Sequence, residues 1–194
     1  MNSKEKILSA LKKNQPATSP LPELNFAGDM SIDLKEQFIK TLNGIGGSIM
    51  EVNEWNDVVE HIKSSFPKAS RIVNTITDQS SEFEGLDIKS DPHEFSNVTV
   101  AIIKGEFGVA ENGAIWLTEA NMGHRALPYI CEHLVLVINN NTIVPTLHEA
   151  YEKIGSTRYN LGTFIAGPSK TADIEQSLVL GAHGAKSMLI FLVG

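Results

Sequence analysis

Phe107-Gly-Val-Ala-Glu-Asn-Gly-Ala-Ile-Trp-Leu-Thr118 holds two apolar runs, Phe107–Ala110 and Ala114–Thr118, around the turn Glu111-Asn112-Gly113. Asn and Gly tolerate positive φ, so this spacing predicts a β-hairpin. Upstream, Val98–Ile103 reads as a strand. Downstream, Leu134–Ile138 is the continuous apolar run of a strand covered on both faces. Thr146 and Glu149 form a capping box for a helix ending at Gly155. Asn160–Ala166 reads as a strand, Gly167-Pro168 as a turn, Ser169–Asp173 as a helix start and Met188–Val193 as the last strand. Toward the other end, Asp33 and Glu36 open a helix carrying Leu34, Phe38 and Leu42 at helical spacing, and Gly44, Gly46 and Gly47 stop it. Ser48–Val52 reads as a strand. Asn53 caps a helix with Val58, Val59, Ile62 and Phe66, and Arg71–Ile76 is another strand. Strands alternating with helices imply an α/β fold: a mostly parallel sheet with flanking helices and an inserted β-hairpin.

Before this pattern stands a different kind of segment. Ser3 can cap a short helix, Lys4–Lys13, whose Ile7, Leu8 and Leu11 share one face. Pro16, Pro20 and Pro22 follow and stiffen a linker. The reading is an N-terminal helical arm and linker at residues 1–30, docking on the core or on a partner, and an α/β domain at 31–194.

Composition narrows the function. The chain of 194 residues carries 16 Lys and Arg against 23 Asp and Glu, a formal charge of −7. That balance argues against nucleic acid and anionic lipid as main partners. Its longest apolar run, Met188–Val193, is far too short to span a bilayer. No signal-peptide core precedes the domain, so the expectation is a cytoplasmic, reduced protein. One cysteine, Cys131, can hold neither a disulfide within the chain nor an iron–sulfur cluster; beside Ile130 it is expected to be buried and inert. The six histidines lack ligand spacing, so no structural metal is expected.

Four places could carry chemistry. Glu111 at the hairpin tip suits a nucleophile or base, with Asn112 and Gly113 beside it; equally, polar residues fill such turns for conformational reasons. Gly167, Ser169, Lys170 and Thr171, at a strand-to-helix turn, would offer backbone N–H groups, hydroxyls and an ammonium to a small anion or a phosphorylated ligand; a plain helix cap fits the same residues. His183, between glycines, faces either a cleft or solvent. Arg125 binds either a carboxylate ligand or a surface acid. Placed beyond the carboxyl ends of parallel strands, these would form one pocket.

Taken together, the motifs resemble the lactate-utilization protein C family, also called the LUD domain. The carriers are GEFGVAENGAIWL at Gly105–Leu117, RALP at Arg125–Pro128, HLVLVI at His133–Ile138, IVPTLHEA at Ile143–Ala150, GPSKTADIE at Gly167–Glu175 and LGAHGAKSM at Leu180–Met188. Asn112 stands where the family usually has Thr, and Ala185 where it usually has Pro. The resemblance covers residue 31 to the end. It implies a fold similar to the ribose-phosphate isomerase, glucosamine-phosphate deaminase and CoA-transferase group. It also implies a role in oxidation of L-lactate to pyruvate beside iron–sulfur partner proteins. Three readings then stand. The chain is a subunit without iron–sulfur ligands and with a small-anion pocket; or an acyl-transfer enzyme with Glu111 as nucleophile, since Ala110-Glu111-Asn112-Gly113 is similar to the glutamate turn of class I CoA-transferases; or a scaffold. Homo-oligomers are compatible with each.

Overall fold

The computed structural model of the chain describes residues 2–20, 22, 33–76, 82–86, 91–172 and 178–194. Among the described residues, β1 (Ser48–Val52), β2 (Ile72–Asn74), β3 (Glu84–Gly85), β4 (Val100–Lys104), β7 (His133–Asn139) and β12 (Ser187–Val193) form one sheet in the order β1-β12-β7-β4-β2-β3. Every pairing in it is parallel. The hairpin strands β5 (Phe107–Val109) and β6 (Ala114–Thr118) pair antiparallel as expected. They do more than interrupt the sheet. With β8 (Ile143–Val144) and β9 (Gly162–Ile165) they build a second, four-stranded sheet in the order β8-β5-β6-β9.

The alternation of side chains explains the layering. Val100, Ile102, Val135, Val137, Leu189 and Phe191 point to one face of the parallel sheet, where Val58 and Ile62 of helix α3 (Trp55–Ser65) cover them. Ala101, Ile103, Leu136, Ile138, Ile190 and Leu192 point to the other face. There they meet Phe38 and Leu42 of α2 (Leu34–Gly44) and Ile115 and Leu117 of β6. The alternate residues of the second sheet, Phe107, Ala114 and Trp116, pack outward on Ala150 of α6 (Leu147–Ile154). The order of layers is therefore α3, parallel sheet, α2 with the second sheet, and α6.

Local signals set most helix ends. Asp33 accepts the N–H groups of Lys35 and Glu36, and Thr146 accepts that of Glu149. Two caps differ from the sequence reading. The first helix, α1 (Ser3–Lys13), is capped by Asn2 rather than Ser3, because Asn2 and Glu5 satisfy each other's N–H groups. Glu54, not Asn53, occupies the cap of α3, since the Asp57 carboxylate accepts from both residues' N–H groups. No residue of α1 is buried. The expected domain start at Ser31 falls outside the described residues. Among the described residues no helix is long and apolar enough to cross a membrane.

Candidate functional site

The strand β9 ends at Ile165, and the chain turns through Gly167 into β10 (Lys170–Ala172), which pairs antiparallel with β11 (Leu178–Leu180). The helix start expected over Ser169–Asp173 is thus corrected where the residues are described: Lys170, Thr171 and Ala172 are ladder residues, with Thr171 opposite Val179. Asp173 and Glu175 lie outside the described residues. Gly167 has φ of +72°, and a Cβ on it would meet the Ile45 carbonyl oxygen at 3.1 Å. A glycine is required on both counts.

This turn and the glycine-flanked histidine come together. Ser169 donates its N–H to the Ala185 carbonyl (2.9 Å), and Gly181 donates to the Ser169 carbonyl (3.1 Å). A Cβ on Gly184 would lie 3.2 Å from Ser169 Cβ. Between the two segments opens a cleft of about 310 Å³, with Ser169, Lys170, His183 and Gly184 on one side and Tyr129 and Phe164 on the other. Its floor includes Leu134 and Ala185, at the amino ends of β7 and β12. The expectation that this turn lies beyond the carboxyl ends of the parallel strands is overturned. The reason is that β9 belongs to the second sheet, where it runs antiparallel to β6.

The cleft's chemistry is a hydroxyl and an imidazole beside an aromatic wall. Tyr129 donates its hydroxyl to Thr163 Oγ1 (3.1 Å). Lys170 turns its ammonium away, donating to the Ile45 carbonyl just past α2. There it meets the negative end of a helix dipole.

The remaining candidates lie apart from the cleft. Glu111 accepts the N–H of Leu147, the first residue of α6, at 2.9 Å, and donates its own N–H to the Pro145 carbonyl. Its carboxylate therefore holds a helix start. Asn112 accepts the Ala114 N–H at 3.0 Å, and Gly113 takes φ of +69° against Leu42. Arg125 grips Glu119 with two hydrogen bonds, Nε to Oε1 at 2.6 Å and Nη2 to Oε2 at 3.1 Å. This contact holds the Glu119 carboxyl below its usual range and raises the guanidinium. Of the nine residues singled out in the sequence, the cleft gathers Gly167, Ser169, Lys170 and His183.

The sequence reading missed the polar network at the carboxyl ends of β2 and β4. Asn74, 2 % exposed, accepts the Ile76 N–H at 3.0 Å. Thr75 donates to the Asn121 carbonyl (2.7 Å), and Asn121 donates to Glu106 (2.9 Å) while accepting from Thr118. The available signal was an Asn interrupting the apolar run of Ile72-Val73 and Ile76. Among the described residues no three His, Cys, Asp or Glu side chains are grouped to hold a metal ion. Cys131 is buried as expected, and burial pushes its thiol up to about 12, so it stays a thiol at neutral pH.

His133 stands at the head of β7, with Nδ1 2.7 Å from Ser187 Oγ and its ring on Phe66. Burial lowers its pKa from the usual 6.5, against the pull of Glu132 and with the push of Lys186. A depressed histidine favours the fold above the unfolded value and costs stability as pH falls through it toward the folded value. Melting temperature is expected to fall as pH drops through and below the usual histidine value of 6.5, and His133→Gln to flatten that fall. Parallel melting curves for the two proteins would exclude His133 as its source.

Residues 74–193 match the LUD domain. Lactate utilization protein C of Geobacillus sp. (strain WCH70) is 26 % identical, over 94 % of this chain and 76 % of the relative. Lactate utilization protein C of Geobacillus kaustophilus is 34 % identical, over 48 % of this chain and 41 % of the relative. The chain thus spans less than half of that second relative. The crystal structure of a DUF162 family protein from Deinococcus radiodurans superposes with a TM-score of 0.64 at 18 % identity, covering 83 % of this chain and 96 % of the other.

Proposed function

Because the chain belongs to the LUD-domain family, we propose that it serves lactate utilization in the cytoplasm, as a subunit without iron–sulfur ligands in the oxidation of L-lactate to pyruvate. Its lone cysteine is buried, so electrons from such an oxidation pass through iron–sulfur partners. The cleft of Ser169 and His183 is the seat of a small anion. The observation that carries this is the meeting of two sequence-distant segments, tied by the Ser169–Ala185 and Gly181–Ser169 hydrogen bonds, around one cavity. A hydroxy or keto acid fits its chemistry. The carboxylate accepts from the Ser169 hydroxyl and from the His183 ring, while Phe164 and Leu134 shield the carbon chain.

The Glu111 carboxylate, held by the α6 N–H, supports a capping role rather than attack on an acyl group. Calorimetry with L-lactate, pyruvate and inorganic phosphate tests the anion seat. Hydrogen bonds to a charged group contribute about 1.5–3 kcal/mol each, so the Ser169→Ala/His183→Ala double variant is expected to weaken binding by more than tenfold. Arg125→Ala, which disturbs only the Glu119 pair, is expected to leave it unchanged. Equal affinity in the double variant would remove the cleft from the proposal. Failure to co-purify with iron–sulfur proteins from the native cell would remove the partners.

A further inference from the structure

We propose that the cleft between the second sheet and the end of α6 is a second small-molecule site, separate from the cleft of Ser169 and His183, and that it takes a small α-amino acid with an apolar side chain. The cleft holds about 290 Å³. That is close to the lower end of ligand pockets, roughly 300 Å³, and gives room for a small metabolite. Glu106 and Thr118 line it from the sheet, and Lys153 and Thr157 from α6 and the turn after it. Phe107 and Trp116, opposite each other on β5 and β6, make its floor with Tyr159.

An unsatisfied donor points to a ligand here. Trp116 is only 8 % exposed, and a buried indole N–H ordinarily finds an acceptor. Among the described residues no group accepts from Trp116. The N–H is not sealed away either, and the opening that Trp116 lines is this cleft. The indole itself is held in place. Phe164 and Tyr159 pack on it with ring centres at 4.6 and 5.5 Å. A Cβ on Gly162 would come within 2.4 Å of its Cζ2 and Cη2 atoms. A fixed donor that opens on a cleft calls for an acceptor from outside the chain.

Charge decides what that acceptor belongs to. Lys153 holds its ammonium 5.1 Å from the Phe107 ring centre, an attraction that positions the charge without neutralising it. Glu106 accepts from Asn121 Nδ2 at 2.9 Å. Asn121 Oδ1 is fixed in turn by the Thr118 N–H and hydroxyl, which donate to it at 2.8 and 2.6 Å. Among the described residues neither Lys153 nor Glu106 makes an ion pair. One cleft thus presents a positioned ammonium and a positioned carboxylate, each without its counter-charge. A ligand carboxylate accepts from Lys153 and Trp116, and a ligand ammonium donates to Glu106, so an amino acid supplies all three missing partners. The aromatic floor covers its side chain. With Glu106 and the indole already ordered, binding costs little immobilisation on that side. A hydroxy acid brings only a neutral donor to Glu106 and is the poorer fit.

Titration calorimetry on the full chain tests this with L-leucine, L-valine and L-alanine as probes. Saturable binding of at least one is expected. 4-Methylpentanoate and isoamylamine each keep one charged end of leucine, and both are expected to bind at least tenfold more weakly than leucine. Glu106→Gln and Lys153→Met, both at exposed side chains, are expected to weaken the amino acid at least tenfold with unchanged circular dichroism. Trp116→Phe keeps an aromatic ring but removes the N–H, and is expected to weaken it too. The two clefts share no lining residue, so excess L-lactate is expected not to displace the amino acid. No saturable binding of any of the three probes, equal binding of leucine and either one-ended analogue, an affinity indifferent to Glu106→Gln and Lys153→Met, or displacement by L-lactate would each overturn the proposal.

Discussion

Phe38→Ala is expected to destabilise the fold by about 3–5 kcal/mol, the usual cost of emptying a buried phenylalanine site. Phe38 is fully buried, and its ring edge lies so close to Gly108 that a Cβ there would sit 2.9 Å from Cε2. It therefore fastens α2 to β5 and, through Ile138, to the parallel sheet. A domain of this size loses about 2–4 °C of melting temperature per kcal/mol, so a fall of roughly 6–20 °C is expected. Phe38→Leu keeps most of the volume and should cost much less. Thermal denaturation followed by circular dichroism measures both. A loss under about 1 kcal/mol for Phe38→Ala would show that the helix and second sheet collapse onto the vacated space.

Gly105→Ala is the second large effect. Gly105 donates its N–H to the Val137 carbonyl (2.8 Å) at the point where the chain leaves β4 for β5. An added Cβ would lie 2.5 Å from Ile115 Cγ2 and 2.6 Å from Ile138 Cγ2, both in buried side chains. Neither atom is the free end of a flexible chain. Overpacking of this kind costs about 1–3 kcal/mol for a single methyl, and Gly105→Val should cost more. The clash predicts coupling: in an Ile138→Ala background the methyl at 105 should be tolerated better, with an interaction energy of about 0.5–3 kcal/mol. Strict additivity in chemical denaturation would place the strain elsewhere.

Much of this architecture is legible in local chemistry. Ala110-Glu111-Asn112-Gly113 announces the hairpin, the apolar run at 134–138 announces a strand covered on both faces, and Thr146 with Glu149 announces α6. These depend on residues a few positions apart. The second sheet is not legible, because β5 with β8 and β6 with β9 pair across long stretches of chain. Ser169–Asp173 misleads for the same reason: its hydroxyls and acids suit a helix start, yet Lys170–Ala172 finds a ladder partner in Leu178–Leu180. The site divides likewise. Glycines and polar groups mark Gly167, Ser169 and His183 as candidates for a cleft, while a plain helix cap and a surface loop fit the same residues. What Glu111 and Arg125 do is decided by the N–H of Leu147 and the carboxylate of Glu119, which spacing does not reveal.

The order β1-β12-β7 places β12 between two strands that precede it in the chain. During synthesis β1 has no neighbour on that side of β7 until β12 leaves the ribosome. The nascent chain must therefore keep the facing edges of β1 and β7 unpaired until Ser187–Val193 has been made. Such an edge invites β-pairing with other chains. A ribosome stalled before Ser187 should accordingly hold a protease-sensitive β1 that becomes protected only once β12 has emerged.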